Sequence, residues 1–326
     1  MWQKVKRLGR GGFGVVYLAV ENSSFSTTST RPAAMAVKTV ELNKSKSLKW
    51  ETRVLKKLKG NLYIVECYGA DISQEGDAGT KCYNLLMEYA NGGTLNTLVN
   101  SYNGKLPEFE LAIYTFMLLK GISSIHEKGL IHWDLKPDNV LVFNDHEGYR
   151  FLKLADFGVS KSLDGGENIE GVRGATDYAA PETLRNGVYG KPADIWSLGH
   201  TVLYMMNGRM WINREHKRLR LEIPDHVSPS GKDFLTTCLQ FDPDSRWTAD
   251  ELLEHPFIQE NLRGMIPTLE LRQSEFTKRS SNYSPLSGSW SLTKDLFGQI
   301  PPRKQMLLPH HLCQLSSTRI AGDQVN

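Results

Sequence analysis

The sequence predicts an α+β fold in two parts, a small β-rich lobe followed by a larger, mostly helical one. Three observations carry that prediction. Residues 1–90 hold runs of β-branched and aromatic residues at strand lengths, and beyond Asn91-Gly92-Gly93 the apolar positions recur at helical spacing instead. Over 326 residues, a content of 40% hydrophobic and 23% charged residues supplies enough apolar material for a large core.

In chain order, residues 5–40 read as strands, with one run over 15–20 and a second over 34–40, separated by a Ser/Thr-rich hairpin tip at 22–32. From 45 to 59 the residues Leu48, Val54, Leu55 and Leu58 recur at helical spacing, and Gly60-Asn61 supplies a stop. Ile64-Val65 and residues 83–89 read as two further strands. Pro107 opens a long helix with Ile113, Phe116, Met117 and Ile125 facing inward, and Gly129 closes it. Helical patterns recur over 193–208 and 230–258, the last ending at His255-Pro256. After 262 the sequence turns mixed and polar and loses its period. This divides the chain into 1–90, 91–262 and a partly disordered tail over 263–326.

Lys plus Arg number 39 against 36 Asp plus Glu, a net charge of +3, which is too small a surplus to argue for nucleic acid or a membrane surface. Partners must therefore be read from motifs. Cys67, Cys82, Cys238 and Cys313 show neither C-x-x-C spacing nor the density of a secreted framework, so reduced thiols are expected. No apolar run is long enough to cross a bilayer, and the first eight residues lack the apolar core of a signal peptide. The expectation is a soluble intracellular protein without membrane insertion.

The segment Gly9-Arg10-Gly11-Gly12-Phe13-Gly14-Val15-Val16 permits tight turns and close backbone approach to phosphate oxygens, and it equally fits an ordinary hairpin. Its flanking strands separate it from a dinucleotide fold, where the last glycine would open a helix. Lys38 follows on the next strand and Glu51 on the next helix. That order of glycine flap, strand lysine and helical glutamate suits a lysine oriented by an ion pair toward nucleotide phosphates. The succession is completed by His132-Trp133-Asp134-Leu135-Lys136-Pro137-Asp138-Asn139-Val140-Leu141, Asp156-Phe157-Gly158 and Ala180-Pro181-Glu182.

On these motifs residues 1–260 resemble the eukaryotic protein kinase family. The brief start at the glycine loop, Asp194-Ile195-Trp196-Ser197-Leu198-Gly199, and Arg246-Trp247-Thr248 before 251–257 are most similar to plant MEKK-type mitogen-activated protein kinase kinase kinases. The resemblance implies the two-lobed kinase fold: a small antiparallel β-rich N-lobe with one regulatory helix, over a helical C-lobe. It implies ATP and Mg2+ as cofactors and transfer to serine or threonine, Lys136 being the mark of that class. Asp134 and Lys136 would be catalytic, with Asn139 and Asp156 as hard oxygen ligands for magnesium. Gly9, Gly11, Gly12, Phe13, Gly14, Val16, Ala36, Lys38, Glu51, Met87, Glu88, Ala90 and Leu141 would surround the nucleotide. Leu55, Cys67, His132 and Phe157 would stack as a column linking the lobes, and Glu182 would pair with Arg246.

The partner so implied is a protein substrate, a MAP kinase kinase, met in the cytoplasm or also the nucleus. Arg303-Lys304 with Met306 and Leu308 fits a docking peptide for a downstream kinase, and equally a solvated tail. Four departures from the family stand out. Trp133 replaces an arginine that binds an activation-loop phosphate, Ala175-Thr176 stands where Thr-Pro is usual, Trp247 replaces a proline, and the stretch 211–223 is short and basic. These keep a pseudokinase or scaffold as the alternative, against which Lys38, Glu51, Asp134, Asn139 and Asp156 are all present.

Overall fold

The glycine-rich start folds as strands β1 (Trp2–Gly11) and β2 (Gly14–Glu21), a hairpin in which Gly11 pairs with Gly14. Gly14 has φ 135°, and a Cβ there would lie 2.7 Å from the Thr39 carbonyl oxygen, so both backbone and space demand glycine. The computed structural model describes residues 2–21, 34–77, 79–164, 177–208, 223 and 225–281. The expected hairpin tip at 22–32 lies outside them.

With β3 (Ala34–Glu41), β4 (Cys67–Glu75) and β5 (Thr80–Glu88), the first two strands form an antiparallel sheet in the order β1-β2-β3-β5-β4. Alternation along the strands sorts the side chains. Ala19, Met35, Val37 and Leu86 pack together on one face. The registers Val16↔Lys38, Leu18↔Ala36, Lys38↔Leu85 and Ala36↔Met87 place those residues on the other. Helix α1 (Lys46–Lys57) buries Leu48, Glu51, Thr52, Val54 and Leu55. It ends at Leu58, two residues inside the glycine stop, as the apolar spacing requires.

The strand expected at Ile64-Val65 is not one. Ile64 makes a single parallel bridge to Leu154, and Val65 N donates to Leu154 O at 3.0 Å while Leu154 N donates to Tyr63 O at 2.9 Å. These β-branched residues tie the segment after α1 to the helical lobe. The true strand β4 follows them, and its polar edge composition hid it.

Beyond Gly92-Gly93 come α2 (Leu95–Ser101), capped by the Thr94 side chain accepting from Thr97 N, and α3 (Glu108–Glu127), buried around most of its circumference. Short strands β6 (Leu130–Ile131), β7 (Val140–Asn144), β8 (Arg150–Leu154) and β9 (Lys161–Ser162) pair as β6-β9 and β7-β8. The lobe continues through α4 (Pro181–Asn186), α5 (Lys191–Asn207), α6 (Pro229–Cys238), α7 (Ala249–Leu253) and α8 (Pro256–Asn261). The Arg246 guanidinium clasps Glu182 with bonds of 2.6 and 2.8 Å and lies 4.9 Å from the Trp196 ring, tying α4 to α5.

Where the sequence loses its period after 262, the structure has a helix, α9 (Ile266–Ser281). Its buried face mixes Leu269 with Gln273 and Thr277, so hydrophobic periodicity could not reveal it. Gln273 Nε2 donates to Leu62 O at 2.7 Å, Phe276 stacks on Phe151 at 4.8 Å, and Lys120 pairs with Glu270 at 2.9 Å. Among the described residues no helix is long and apolar enough to cross a membrane. Cys67, Cys82 and Cys238 are free thiols.

Candidate active site

The cleft-facing side of the sheet carries Val16, Ala36, Lys38 and Met87. Lys38 is only 5% exposed, and its Nζ donates to Glu51 Oε2 at 2.7 Å and to Asp156 Oδ1 at 2.8 Å. Burial by itself would push the Lys38 ammonium down, but the two carboxylates outweigh it and hold it above the ordinary lysine range. Burial pushes Glu51 above the usual carboxylate range against the pull of Lys38. Burial also acts upward on Asp156, where the charge and hydrogen bond of Lys38 prevail and keep it low, hence ionised. One lysine thus joins the sheet, α1 and the aspartate at the head of the Asp156-Phe157-Gly158 segment.

Over this pair leans the tip of the β1-β2 hairpin, with the Phe13 ring 6.0 Å from Lys38 Nζ. A Cβ built at Gly9, Gly11 or Gly12 meets nothing within 4 Å. Packing inside the protein does not ask for glycine at those three positions, whereas close approach of a ligand to the backbone does.

The segment after β5 joins the lobes. A Cβ at Gly92 would sit 2.8 Å from Val142, and Gly92 N donates to Val142 O at 2.9 Å, so the connection presses flat against β7. Leu141, half-buried on β7, lies beside it through a bridge to Thr94. Met87 is buried and Ala90 half-buried on this path. Glu88 turns its side chain away from the cleft: its carboxylate accepts from Lys153 Nζ at 2.6 and 3.0 Å and from Glu66 N at 3.0 Å. That leaves only backbone groups of Glu88 to face the cleft.

Below, the loop after β6 gathers Asp134, Lys136 and Asn139. Lys136 Nζ donates to Asp134 Oδ2 at 2.8 Å, and Asn139 Nδ2 donates to Asp134 O at 2.8 Å and Oδ2 at 2.9 Å. The loop is pinned from α5 by Asp194, fully buried, which accepts from His132 N and Trp133 N, both at 2.9 Å, with His126 Nε2 at 3.0 Å. Desolvation would raise Asp194, but the His126 hydrogen bond leads a set of contacts that lower it, so it stays charged. Trp133 and Asp156 hold φ of 60° and 62°, left-handed backbone that costs non-glycine residues about 1–3 kcal/mol each and marks both bends as imposed by their surroundings.

The Asn139 amide nitrogen faces Asp134, which directs its oxygen elsewhere, and Asp156 is an ionised carboxylate. One amide oxygen and one carboxylate are the sparse, hard donor set that magnesium takes when water and phosphate supply its other ligands. Asn139 and Asp156 fit that ion. Of the expected column, His132 and Phe157 rings lie 4.8 Å apart, and Leu55, Phe157 and half-buried Cys67 belong to one continuous core.

Trp133, read in sequence only as a missing arginine, has a partner of its own. Lys161 Nζ lies 4.5 Å from its ring and 5.9 Å from that of Tyr189, and the two rings are 5.3 Å apart. Sequence reasoning gave no role to Ser47, Trp50 or Lys153, whose partners are more than sixty positions distant and carry no motif. Ala175, Thr176, the basic residues Arg214, Lys217, Arg218 and Arg220, and the tail motif at 303–308 lie outside the described residues.

Residues 2–258 match the protein kinase domain family. Mitogen-activated protein kinase kinase kinase 20 of Arabidopsis thaliana is 35% identical over 276 residues, which cover 79% of this chain and 78% of that relative. Mitogen-activated protein kinase kinase kinases 18 and 17 of the same plant are 36% and 33% identical over 79% of this chain, covering 77% and 69% of their own lengths. The chain belongs to the protein kinase family, as a serine/threonine kinase among the mitogen-activated protein kinase kinase kinases.

Proposed function

We propose that this chain transfers the γ-phosphate of ATP to a serine or threonine of a MAP kinase kinase, using the residues gathered around Lys38 and Asp134. The observation that carries the reading is the joined geometry of the cleft: Lys38 bonded to both Glu51 and Asp156, and Asp134 held by Lys136 and Asn139. Asp134 accepts the hydrogen bond of the substrate hydroxyl and aims it in line. Lys136, already beside Asp134, offsets charge on the transferring group. Lys38 holds the α- and β-phosphates under the glycine hairpin, and Val16, Ala36, Met87 and Leu141 offer apolar surface to the base, with backbone groups of Glu88 and Ala90. Protein kinases generally use ATP with magnesium; Asn139 and Asp156 would hold that ion here, where it neutralises phosphate charge.

The lobes so used are 1–90 and 91–262, with 263–326 as an extension that begins with α9. The near-neutral charge and free thiols favour a cytoplasmic or nuclear setting, and Arg303-Lys304 with Met306 and Leu308 suits docking of a downstream kinase. Labelled ATP with a panel of catalytically inactive MAP kinase kinases tests the function. Label on serine or threonine of at least one of them, abolished in Asp156→Asn, is the expected result. Nucleotide binding without any transfer would leave a scaffold instead.

A further inference from the structure

Helix α1 touches the segment beneath it by more than the Lys38 ion pair. Ser47 Oγ donates to Gly158 O at 2.8 Å, and Trp50 Nε1 donates to Ser160 O at 2.9 Å and to Ser160 Oγ at 3.0 Å. The fit is close: a Cβ at Gly158 would sit 2.7 Å from Ser47 Oγ and 3.7 Å from Glu51 Oε2. Ser160 is itself fixed, fully buried, with its N and Oγ donating to Phe157 O at 3.1 and 2.8 Å. Ser47, Trp50 and Glu51 lie within about one turn or two of helix, so they face the same stretch of chain. The next residue, Lys161, sets its ammonium over Trp133 in the loop that carries Asp134.

We propose that Ser47 and Trp50 are positioning residues, a latch that holds α1 down on residues 158–160 and so keeps Glu51 on Lys38. Two donors above, Ser47 on Gly158 and Trp50 on Ser160, and one cation–π contact below, from Lys161 to Trp133, fix this segment between α1 and the catalytic loop. Each acceptor above includes a backbone carbonyl that no substitution removes, so the donors on α1 decide whether the latch closes. Neither side chain is placed to touch nucleotide or substrate; both act through Glu51.

The inference rests on the kinase reading, and its test separates the two. Ser47→Ala and Trp50→Phe each remove a donor while keeping the bulk of the side chain. Each variant loses one neutral hydrogen-bond donor and should lower kcat about threefold to tenfold, and the double variant about tenfold or more, with KM for the protein substrate unchanged. Amide exchange over Lys46–Lys57, followed by mass spectrometry in the absence of nucleotide, should quicken in the same order. In a Glu51→Gln background, Trp50→Phe should cost less than about twofold, because the contact it supports is already weakened.

A kcat within about twofold of wild type in the double variant, or an undiminished loss in the Glu51→Gln background, would overturn the latch. Unchanged exchange over α1 would overturn it as well. If wild-type protein transfers no phosphate, the functional reading fails, and the exchange data still decide the latch.

Discussion

Replacing Lys153 with methionine isolates the buried charge behind the lobe connection. Lys153 Nζ lies 2.6 and 3.0 Å from the two Glu88 oxygens, and the side chains are 0% and 4% exposed. The Phe143 and Phe276 rings stand 5.1 and 5.7 Å from the ammonium, so no solvent replaces it when it is removed. Methionine keeps the volume and leaves the Glu88 carboxylate buried with, among the described residues, the Glu66 amide at 3.0 Å as its remaining donor. Breaking one side of such a pair costs about 3–5 kcal/mol, whereas replacing both partners by apolar residues is often nearly neutral. At about 2–4 °C per kcal/mol for a protein of this size, Lys153→Met should lower Tm by roughly 6–20 °C. Adding Glu88→Leu should recover most of that loss. Thermal scans of the four proteins of this cycle, at one scan rate, give the coupling directly. A Lys153→Met protein melting within about 2 °C of wild type would mean that Glu88 does not depend on this ammonium, as would a double variant no better than the single.

Two further outcomes are expected. Position 133 carries an indole, with Lys161 over its ring, in place of the guanidinium that would pair with an activation-loop phosphate, so phosphatase treatment should leave turnover within about twofold; a large loss restored by rephosphorylating Ser160, Ser162 or Thr176 would contradict this. His200, buried 5.3 Å from the Trp196 ring, has its pKa pushed by burial from 6.5 down to about 4. It is neutral when folded, so its share of stability is complete above pH 6.5 and declines as pH falls toward 4, by about 2 kcal/mol at pH 5. Urea unfolding between pH 7.5 and 5 should show that decline in wild type and a shallower one in His200→Gln, and equal declines would exclude the assignment.

The chemistry of this protein was legible because it is written in residue types at fixed order. A lysine on a strand, a glutamate on the next helix and the Asp134, Asn139 and Asp156 carboxylates and amide each have few substitutes for their work. What holds them is less visible. Lys153 reads as an ordinary strand residue until β8 brings it to Glu88, and Trp133 reads as a loss until Lys161 is seen above it. Helix α9 is hidden because its inner face includes Gln273 and Thr277, and β4 because an edge strand tolerates Asp71, Ser73 and Gln74. Conversely, Ile64-Val65 has strand composition and serves as a tether to Leu154, since apolar residues are needed wherever a segment is buried, paired or not.

A competent kinase of this form needs Lys38 and Asp134 at its reacting centre. Single-turnover transfer from ATP to an inactive MAP kinase kinase, measured for wild type, Lys38→Met and Asp134→Asn with nucleotide saturating, tests it most directly. Because charge placed at the transferring phosphate contributes several kcal/mol, both variants should lose about a hundredfold or more in rate. Asp134→Asn should melt within about 3 °C of wild type, whereas Lys38→Met, which leaves Glu51 and Asp156 together without their ammonium, should melt lower by an amount like that of Lys153→Met while staying folded at the assay temperature. Either variant retaining more than about a tenth of the wild-type rate would place the reacting centre elsewhere.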